Sequence, residues 1–106
     1  MRIDFKTMIE RIKASVREID PEARIYLYGS RARGTAREDS DWDVLILVDK
    51  DKVSLREEQD FRHKLADLEI ETGESVSTFV YSLKEWFSKY MMTPLFFNVQ
   101  REGVLL

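Results

Sequence analysis

The 106-residue sequence predicts one small α/β (α+β) domain, in which a β-sheet is flanked by helices. Amphipathic helical patterns alternate with short β-rich runs, and one of these runs is apolar at every position of its centre. The hydrophobic and charged fractions, 43% and 35%, are those of a globular chain. In chain order the patterns predict α-β-loop-β-α-β-α-α, and we expect residues 1–106 to form a single domain.

The first predicted element is a helix, because apolar residues recur at intervals of three and four and so share one face. They are Phe5, Met8, Ile9, Ile12, Val16 and Ile19. Asp4 is suited to cap the N-terminus of this helix, and Pro21 cannot continue its hydrogen bonds. The β-rich run that follows, residues 24–28, predicts a strand that ends at Gly29 and Ser30.

The central part of the chain predicts a loop, a strand and a long helix. Residues 31–40 carry arginines and acids without apolar periodicity, which indicates a loop or a broken helix. Residues 42–48 predict a second strand, and its VLILV centre indicates a central strand buried on both faces. Ser54 and Glu57 form the capping-box pattern that starts a helix, and Gly73 is suited to end it.

The last third of the chain predicts a third strand and two short helices. Residues 76–81 are β-branched and aromatic, as in strands, and Phe79 is expected to lie in the core. A second capping box starts at Ser82, and Thr93 followed by Pro94 predicts the start of a final helix that Gly103 ends. The sheet is therefore expected to have three strands. The aromatic content of this third favours self-association or association with another chain.

Composition excludes several classes of function. Seventeen basic and 20 acidic residues give a net charge of −3, so direct nucleic-acid binding is not expected. The absence of cysteine excludes thiol catalysis, and the single histidine, His63, excludes a multi-histidine metal site and is expected at the surface. No apolar run approaches the roughly 20 residues needed to span a bilayer, which predicts a cytoplasmic chain without membrane contact.

A pair of acids opens the second predicted strand. Asp41 and Asp43 flank Trp42, and strand alternation places both carboxylates on one face and the indole on the other. Two negative charges so close together on one face repel each other. A divalent cation resolves this repulsion, and hard oxygen ligands favour Mg²⁺ bound to substrate phosphates. Taken alone, such a pair is more often an exposed turn than a metal site.

A glycine-serine turn precedes the acid pair. Gly29 allows a sharp turn at a strand end and the close approach of a phosphate. Ser30 offers a hydroxyl and backbone N–H groups to an anion. Arg31 and Arg33 add positive charge suited to a triphosphate, although loop arginines are commonly only solvated. The combination of the turn with the acid pair is the specific signal.

The sequence Gly29-Ser30, ten further residues and then Asp41-x-Asp43 resembles the active-site signature of the DNA polymerase beta-like nucleotidyltransferases. The whole chain is similar to the smallest members, the minimal nucleotidyltransferases, including the segment LYGSRARGTAREDSDWDVLILVD and the ending PLFFNVQREGVLL. The resemblance implies a mixed sheet of the polymerase beta palm type. It also implies that Gly29 and Ser30 hold the triphosphate of ATP, and that Asp41 and Asp43 are catalytic and bind Mg²⁺.

The resemblance further implies a reaction and a partner. The family moves a nucleoside monophosphate onto a hydroxyl and releases pyrophosphate. Larger relatives carry a helical domain that helps to hold the acceptor, and 106 residues leave no room for one, so we expect the acceptor site on another chain. The usual partner is a HEPN-domain toxin, for which the minimal nucleotidyltransferase is the antitoxin.

One departure from the family pattern leaves a second function open. The family has a third carboxylate on the next strand, where this chain has Ser77 or Thr78. Glu74, just upstream, reaches the site only if the strand begins elsewhere than predicted. A hydroxyl does not replace an anionic metal ligand. The alternative is therefore a nucleotide-binding or antitoxin module that acts by binding its partner without catalysis.

Overall fold

The computed structural model describes residues 3–106, which form five helices and four strands. Every helix and strand predicted from the sequence is present. In chain order the elements are α1 (Phe5–Ile19), β1 (Arg24–Tyr28), α2 (Ser30–Arg33), β2 (Trp42–Val48), α3 (Leu55–Thr72), β3 (Val76–Ser82), α4 (Leu83–Trp86), α5 (Pro94–Glu102) and β4 (Val104–Leu105).

The four strands form one mixed sheet in the order β3-β2-β1-β4. Strand β2 is central, as its apolar sequence predicted; it runs parallel to β3 and antiparallel to β1. Strand β4 pairs antiparallel with β1 at the edge. The prediction of three strands is therefore wrong by one. Strand β4 has only two residues, both exposed, so it carries no alternating pattern that sequence could show.

Helices α1 and α3 cover one face of the sheet. Their buried apolar residues are Met8, Ile12 and Val16 of α1 and Phe61, Leu65 and Leu68 of α3. They pack on β2 side chains of the same face, of which Val44 and Ile46 are fully buried. This layer is the larger core, and it fixes the sheet at the back of the site described below.

Helices α4 and α5 cover only part of the opposite face. Trp86 and Phe96 lie in this second cluster with Leu45 and Leu47 of β2. Phe79 of β3 also points to this face but is 37% exposed, so the expectation that it belongs to the core is wrong. Nearer the start of β2 and β3, Asp43 and Ser77 lie on this same face, are only partly buried and do not belong to the second cluster.

The helix ends confirm the capping predictions. The side chain of Asp4 accepts a hydrogen bond from the N–H of Thr7 at 2.7 Å. Ser54 and Glu57 make the reciprocal capping box, and Gly73 ends α3 in the left-handed conformation. His63 is exposed on α3, as expected. None of the helices within residues 3–106 has the length and apolar character needed to cross a membrane.

Candidate active site

The turn after β1 forms one side of the site. Strand β1 ends at Tyr28, and Gly29 adopts φ 75° and ψ −159°, a backbone conformation that other residues rarely adopt. The carbonyl oxygen of Gly29 accepts hydrogen bonds from the N–H groups of Ala32 and Arg33, at 3.1 and 3.0 Å. Ser30 is therefore the first residue of α2, the short helix that begins one residue after β1 ends.

The acid pair lies at the start of β2, across from that turn. Tyr28 is the residue opposite Asp43 in the antiparallel pairing of β1 and β2. Trp42 is 1% exposed and packs in the core beneath α1 and α3. Because successive strand residues face opposite sides, Asp43 lies on the sheet face opposite α1 and α3, where it is half-buried. Asp41, directly before the strand, is exposed.

The turn is in contact with one acid of the pair, Asp43. A Cβ atom built on Gly29 would lie 3.1 Å from Asp43 Cγ and would collide with the carboxylate oxygen Oδ2. No side chain fits at position 29 without displacing that carboxylate. The Asp43 side chain therefore points at the Gly29 turn, and the two motifs form one site.

The electrostatics of the site disfavour an ionised Asp43. Burial raises the pKa of Asp43, and the charges of Asp41 and, to a lesser extent, Glu102 raise it further, while Arg33 lowers it. Burial also raises the pKa of the neighbouring Tyr28 phenol, to which the charge of Asp43 adds. A bound cation would relieve the repulsion between the two carboxylates. Their hard oxygen donors fit Mg²⁺, which takes one or two protein carboxylates with substrate phosphates.

The other flank of the acid pair has no third acid. In the parallel pairing of β2 and β3, Ser77 lies opposite Asp43 and on the same face, whereas Thr78 lies opposite Val44 and is buried on the other face. Ser77 is therefore the residue at the expected third-carboxylate position. Across residues 3–106, no three acidic or histidine side chains are grouped closely enough to hold a metal ion together.

Glu74 does not fill that position. Strand β3 begins at Val76, as the sequence predicted, so Glu74 precedes the strand. Its side chain lines a surface cavity together with Glu38, Asp39 and Ser40. This cavity borders the loop before β2, and Asp43 does not line it.

The two arginines of the turn have different surroundings. Arg31 Nη2 donates to the carbonyl oxygen of Ser40 at 2.8 Å, and the guanidinium carbon lies 4.5 Å from the centroid of the Trp42 ring. Arg31 thus holds the end of the loop that leads into the acid pair. Arg33 is half exposed and forms an ion pair with Glu102 at 2.8 Å. Of the two, Arg33 is the one whose charge lowers the pKa of Asp43.

Glu102, at the end of α5, is a site residue that the sequence analysis did not identify. Its Oε1 accepts a hydrogen bond from the Gly29 N–H at 3.1 Å, and its Oε2 accepts one from Arg33. The hydrogen bond from Arg33 lowers the pKa of Glu102, and the bond from Gly29 adds to this effect. The 73-residue separation from Gly29 explains the omission, because no local pattern connects the two positions. The only nearby signal is Gly103, which marks the helix end.

Comparison with known proteins agrees with this geometry. The nucleotidyltransferase domain family matches residues 9–90, a range that holds the Gly29 turn, both aspartates and strand β3. No curated protein sequence matches the chain.

Several solved structures have the same fold. A crystal structure of a toxin-antitoxin with AMP-PNP is 25% identical over 91% of this chain and 69% of that chain, with a TM-score of 0.65. A structure described as that of a minimal nucleotidyltransferase is 25% identical over 98% and 97% of the two chains, with a TM-score of 0.64. A mutant of the toxin-antitoxin MntA-HpeT is similar in fold, with 23% identity over 99% and 72% of the chains and a TM-score of 0.61.

Proposed function

The chain belongs to the nucleotidyltransferase domain family, and on that premise we propose that it transfers AMP from Mg-ATP to a hydroxyl group on a partner protein. The contact between the Gly29 turn and the Asp43 carboxylate carries this proposal. It places a turn suited to phosphate next to a carboxylate suited to Mg²⁺, so that one bound Mg-triphosphate would contact both. The crystallised toxin-antitoxin neighbour with AMP-PNP supports ATP as the nucleotide.

Each predicted residue has a role in the proposed site. Asp41 and Asp43 would hold Mg²⁺, which when bound lowers the pKa of a hydroxyl and neutralises phosphate charge. Gly29 and Ser30 bind the triphosphate, because the glycine has no side chain to obstruct it. Arg33 adds positive charge beside Asp43.

Arg31 contributes to nucleotide binding through the loop. Its hydrogen bond to Ser40 and its stacking on Trp42 fix the residues directly before Asp41. A fixed approach to β2 keeps the exposed Asp41 near Asp43, which a mobile loop would not do. Both arginines thereby serve the nucleotide half of the site.

The proposed reaction is a displacement at phosphorus. The acceptor hydroxyl oxygen forms a bond to the α-phosphorus of ATP, and the bond between that phosphorus and the bridging oxygen of the β-phosphate breaks. Pyrophosphate leaves with the electron pair of the broken bond. The hydroxyl proton passes to water or to a basic group of the acceptor, because Ser77 holds no carboxylate at the place where the family has one.

The acceptor is proposed to come from another chain. Ser77, which lies opposite Asp43, is only partly buried, and Phe79 on the same face is exposed, so another chain can approach this part of the sheet. The toxin-antitoxin neighbour supports a toxin as the partner, and the resemblance to minimal nucleotidyltransferases specifies a HEPN-domain protein. A serine or tyrosine hydroxyl of that partner would then be the acceptor.

A second function is favoured by one observation, the serine opposite Asp43. Without a third carboxylate, the chain would bind Mg-ATP and its partner but would not activate the acceptor hydroxyl. In that case it acts as an antitoxin by occupying the partner. The two functions differ in whether label moves from nucleotide to protein.

The test is a transfer assay with α-labelled ATP, Mg²⁺ and a HEPN-domain partner. We expect label on the partner with the wild type, and at least about a hundredfold less with Asp43→Asn, because the metal loses a charged ligand. Asp49→Asn is the matched control, since Asp49 follows the other end of the same strand and is exposed. Equal transfer by both variants contradicts the proposal. Metal-dependent ATP binding without any transfer supports the binding module instead.

A further inference from the structure

Glu102 connects the last helix to the turn at which the nucleotide is proposed to bind. Its side chain is 10% exposed, whereas that of its partner Arg33 is 48% exposed. Both carboxylate oxygens are engaged, one by the Gly29 N–H at 3.1 Å and the other by Arg33 Nη1 at 2.8 Å. A nearly buried carboxylate with two donors is a satisfied charge rather than a free ligand.

The Gly29 N–H needs such a partner. Gly29 is buried and lies one residue past Tyr28. Because Tyr28 is the last residue of β1 that pairs with a neighbouring strand, Gly29 is outside the strand pairing. A buried backbone N–H without a partner is destabilising, because it gives up its hydrogen bond to water and gains none in exchange. Glu102 supplies that partner in the form of a charge-assisted hydrogen bond. The positive φ of Gly29, and with it the contact to Asp43, is thereby held in place.

The chain around Glu102 is built to put this carboxylate there. A Cβ atom on Gly103 would lie 3.0 Å from Val99 Cγ1 and collide with the Val99 carbonyl oxygen, so only glycine fits directly after Glu102. Beyond it, Val104 and Leu105 pair with β1, and the Leu106 N–H donates to the Ile25 carbonyl oxygen at 2.8 Å. Glu102 is therefore fixed between α5 and a strand that lies along β1.

We infer that Glu102 is a positioning residue of the nucleotide half of the site, which sets the Gly29 turn and aligns Arg33 for the triphosphate. The inference takes its ligand, Mg-ATP, from the proposed function. The way in which Glu102 acts is inferred from its two hydrogen bonds. Glu102 is not a third metal ligand, because within residues 3–106 it forms no group of three with Asp41 and Asp43. Its carboxylate acts through the backbone of Gly29 and the guanidinium of Arg33.

The experiment compares the full chain with Glu102→Ala, Glu102→Gln and a matched control, Glu71→Gln. Glu71 also pairs with an arginine, Arg11, but on the surface formed by α1 and α3, away from the site. Three quantities are measured: the amide exchange rate of Gly29 without ligand, the Kd for Mg-ATP with its binding stoichiometry, and the melting temperature.

We expect Glu102→Ala to raise the Gly29 exchange rate and the Kd for Mg-ATP about tenfold each, the change expected from the loss of one charge-assisted hydrogen bond. The stoichiometry stays that of the wild type. Glu102→Gln is expected to change both quantities less, because its amide oxygen still accepts from the Gly29 N–H. Glu71→Gln leaves both unchanged.

Two results would overturn the inference while the wild type binds Mg-ATP. A tighter Kd in Glu102→Ala would mean that the carboxylate occupies donors that the phosphates need. An unchanged Kd and Gly29 exchange rate with a lower melting temperature would mean a purely structural role. If the wild type itself does not bind Mg-ATP, the proposed function fails, and the Gly29 exchange rate still decides whether Glu102 holds the turn.

Discussion

The two strands beside β2 give the Asp43 carboxylate opposite surroundings. On the β1 side, the Gly29 turn contacts Asp43, and Glu102 and Arg33 complete a hydrogen-bonded cluster around that turn. On the β3 side, the facing residue is the partly buried Ser77, and the next residue of β3 on that face is the exposed Phe79.

The two sides of Asp43 therefore differ in function: the β1 side holds a connected set of polar groups, and the β3 side lacks an acid. The β1 side has a fixed geometry around a positive-φ glycine, which suits a ligand of constant shape such as a triphosphate. Its Asp43 carboxylate is unfavourable in the charged form, and the Mg²⁺ that accompanies a triphosphate would stabilise that charge. On the β3 side, Ser77 is only partly buried and carries no ionisable group. The proposed function therefore gives the nucleotide half of the site to this chain and the acceptor half to a partner. The following predictions test that division from the largest expected effect to the smallest.

The largest effect is expected from Gly29→Ala. The new Cβ would collide with the Asp43 carboxylate, and the backbone conformation at φ 75° is strained for alanine. We expect the Kd for Mg-ATP to rise at least about a hundredfold and the free energy of unfolding to fall by about 2–3 kcal/mol. Calorimetric titration and urea denaturation measure the two quantities.

Gly34→Ala is the control for that prediction. Gly34 has a similar φ, 79°, but a Cβ atom there would meet nothing within 4 Å. It should lose about 1 kcal/mol of stability through backbone strain and bind Mg-ATP like the wild type. Equal loss of binding in both variants would show that strain alone, and not the contact with Asp43, explains the result.

An intermediate effect is expected from Ser77→Asp, which adds an acid on the β3 side of Asp43. The new carboxylate would face Asp43 on the same side of the sheet. We expect AMP transfer to the partner to accelerate about tenfold, the scale on which metal-site groups affect activity. Without metal, the variant should melt below the wild type because a third negative charge joins the pair. Ser77→Asn, which adds no charge, should do neither; a slower reaction with the aspartate would refute the division.

The smallest effect is expected in the pH dependence of stability without metal. Because the folded-state pKa of Asp43 lies above its unfolded value of 3.8, the ionised carboxylate destabilises the fold at neutral pH. Asp43→Asn should therefore melt above the wild type at pH 7, by less than about 4 °C. The difference should shrink as the pH falls through the folded pKa towards 3.8 and the wild-type acid becomes neutral.

Scanning calorimetry between pH 4 and pH 8 with a chelator present checks this prediction. Asp49→Asn provides the baseline for an exposed aspartate on the same chain. A wild type that is more stable than Asp43→Asn at pH 7 would mean that Asp43 gains more from Arg33 than it loses through burial.

Local chemistry explains why most of the fold could be predicted from the sequence. The bounds of β1 and β2 and the start of α3 depend on nearby residues: a glycine at a strand end, an apolar run, and the Ser54 capping box. The site motif was predictable for the same reason, because Gly29 and Asp43 each lie at the end of an element. The family match confirms the resemblance that these residues carried.

Contacts between distant parts of the chain explain what could not be predicted. Strand β4 exists because its two residues pair with β1, not because of their own propensity. Phe79 looks like a core residue, but α4 and α5 cover only part of its face of the sheet and leave it exposed. Glu102 meets Gly29 only after α5 has packed on the sheet, so its role is a consequence of tertiary structure.

The most direct test of the Mg-nucleotide site is a crystal structure with AMP-PNP and Mn²⁺ in place of Mg²⁺, with the metal located by its anomalous scattering. We predict one peak that contacts both Asp41 and Asp43 at about 2.1–2.2 Å, with the phosphates against Gly29 and Ser30. A peak elsewhere, with both carboxylates free of metal, would contradict the account.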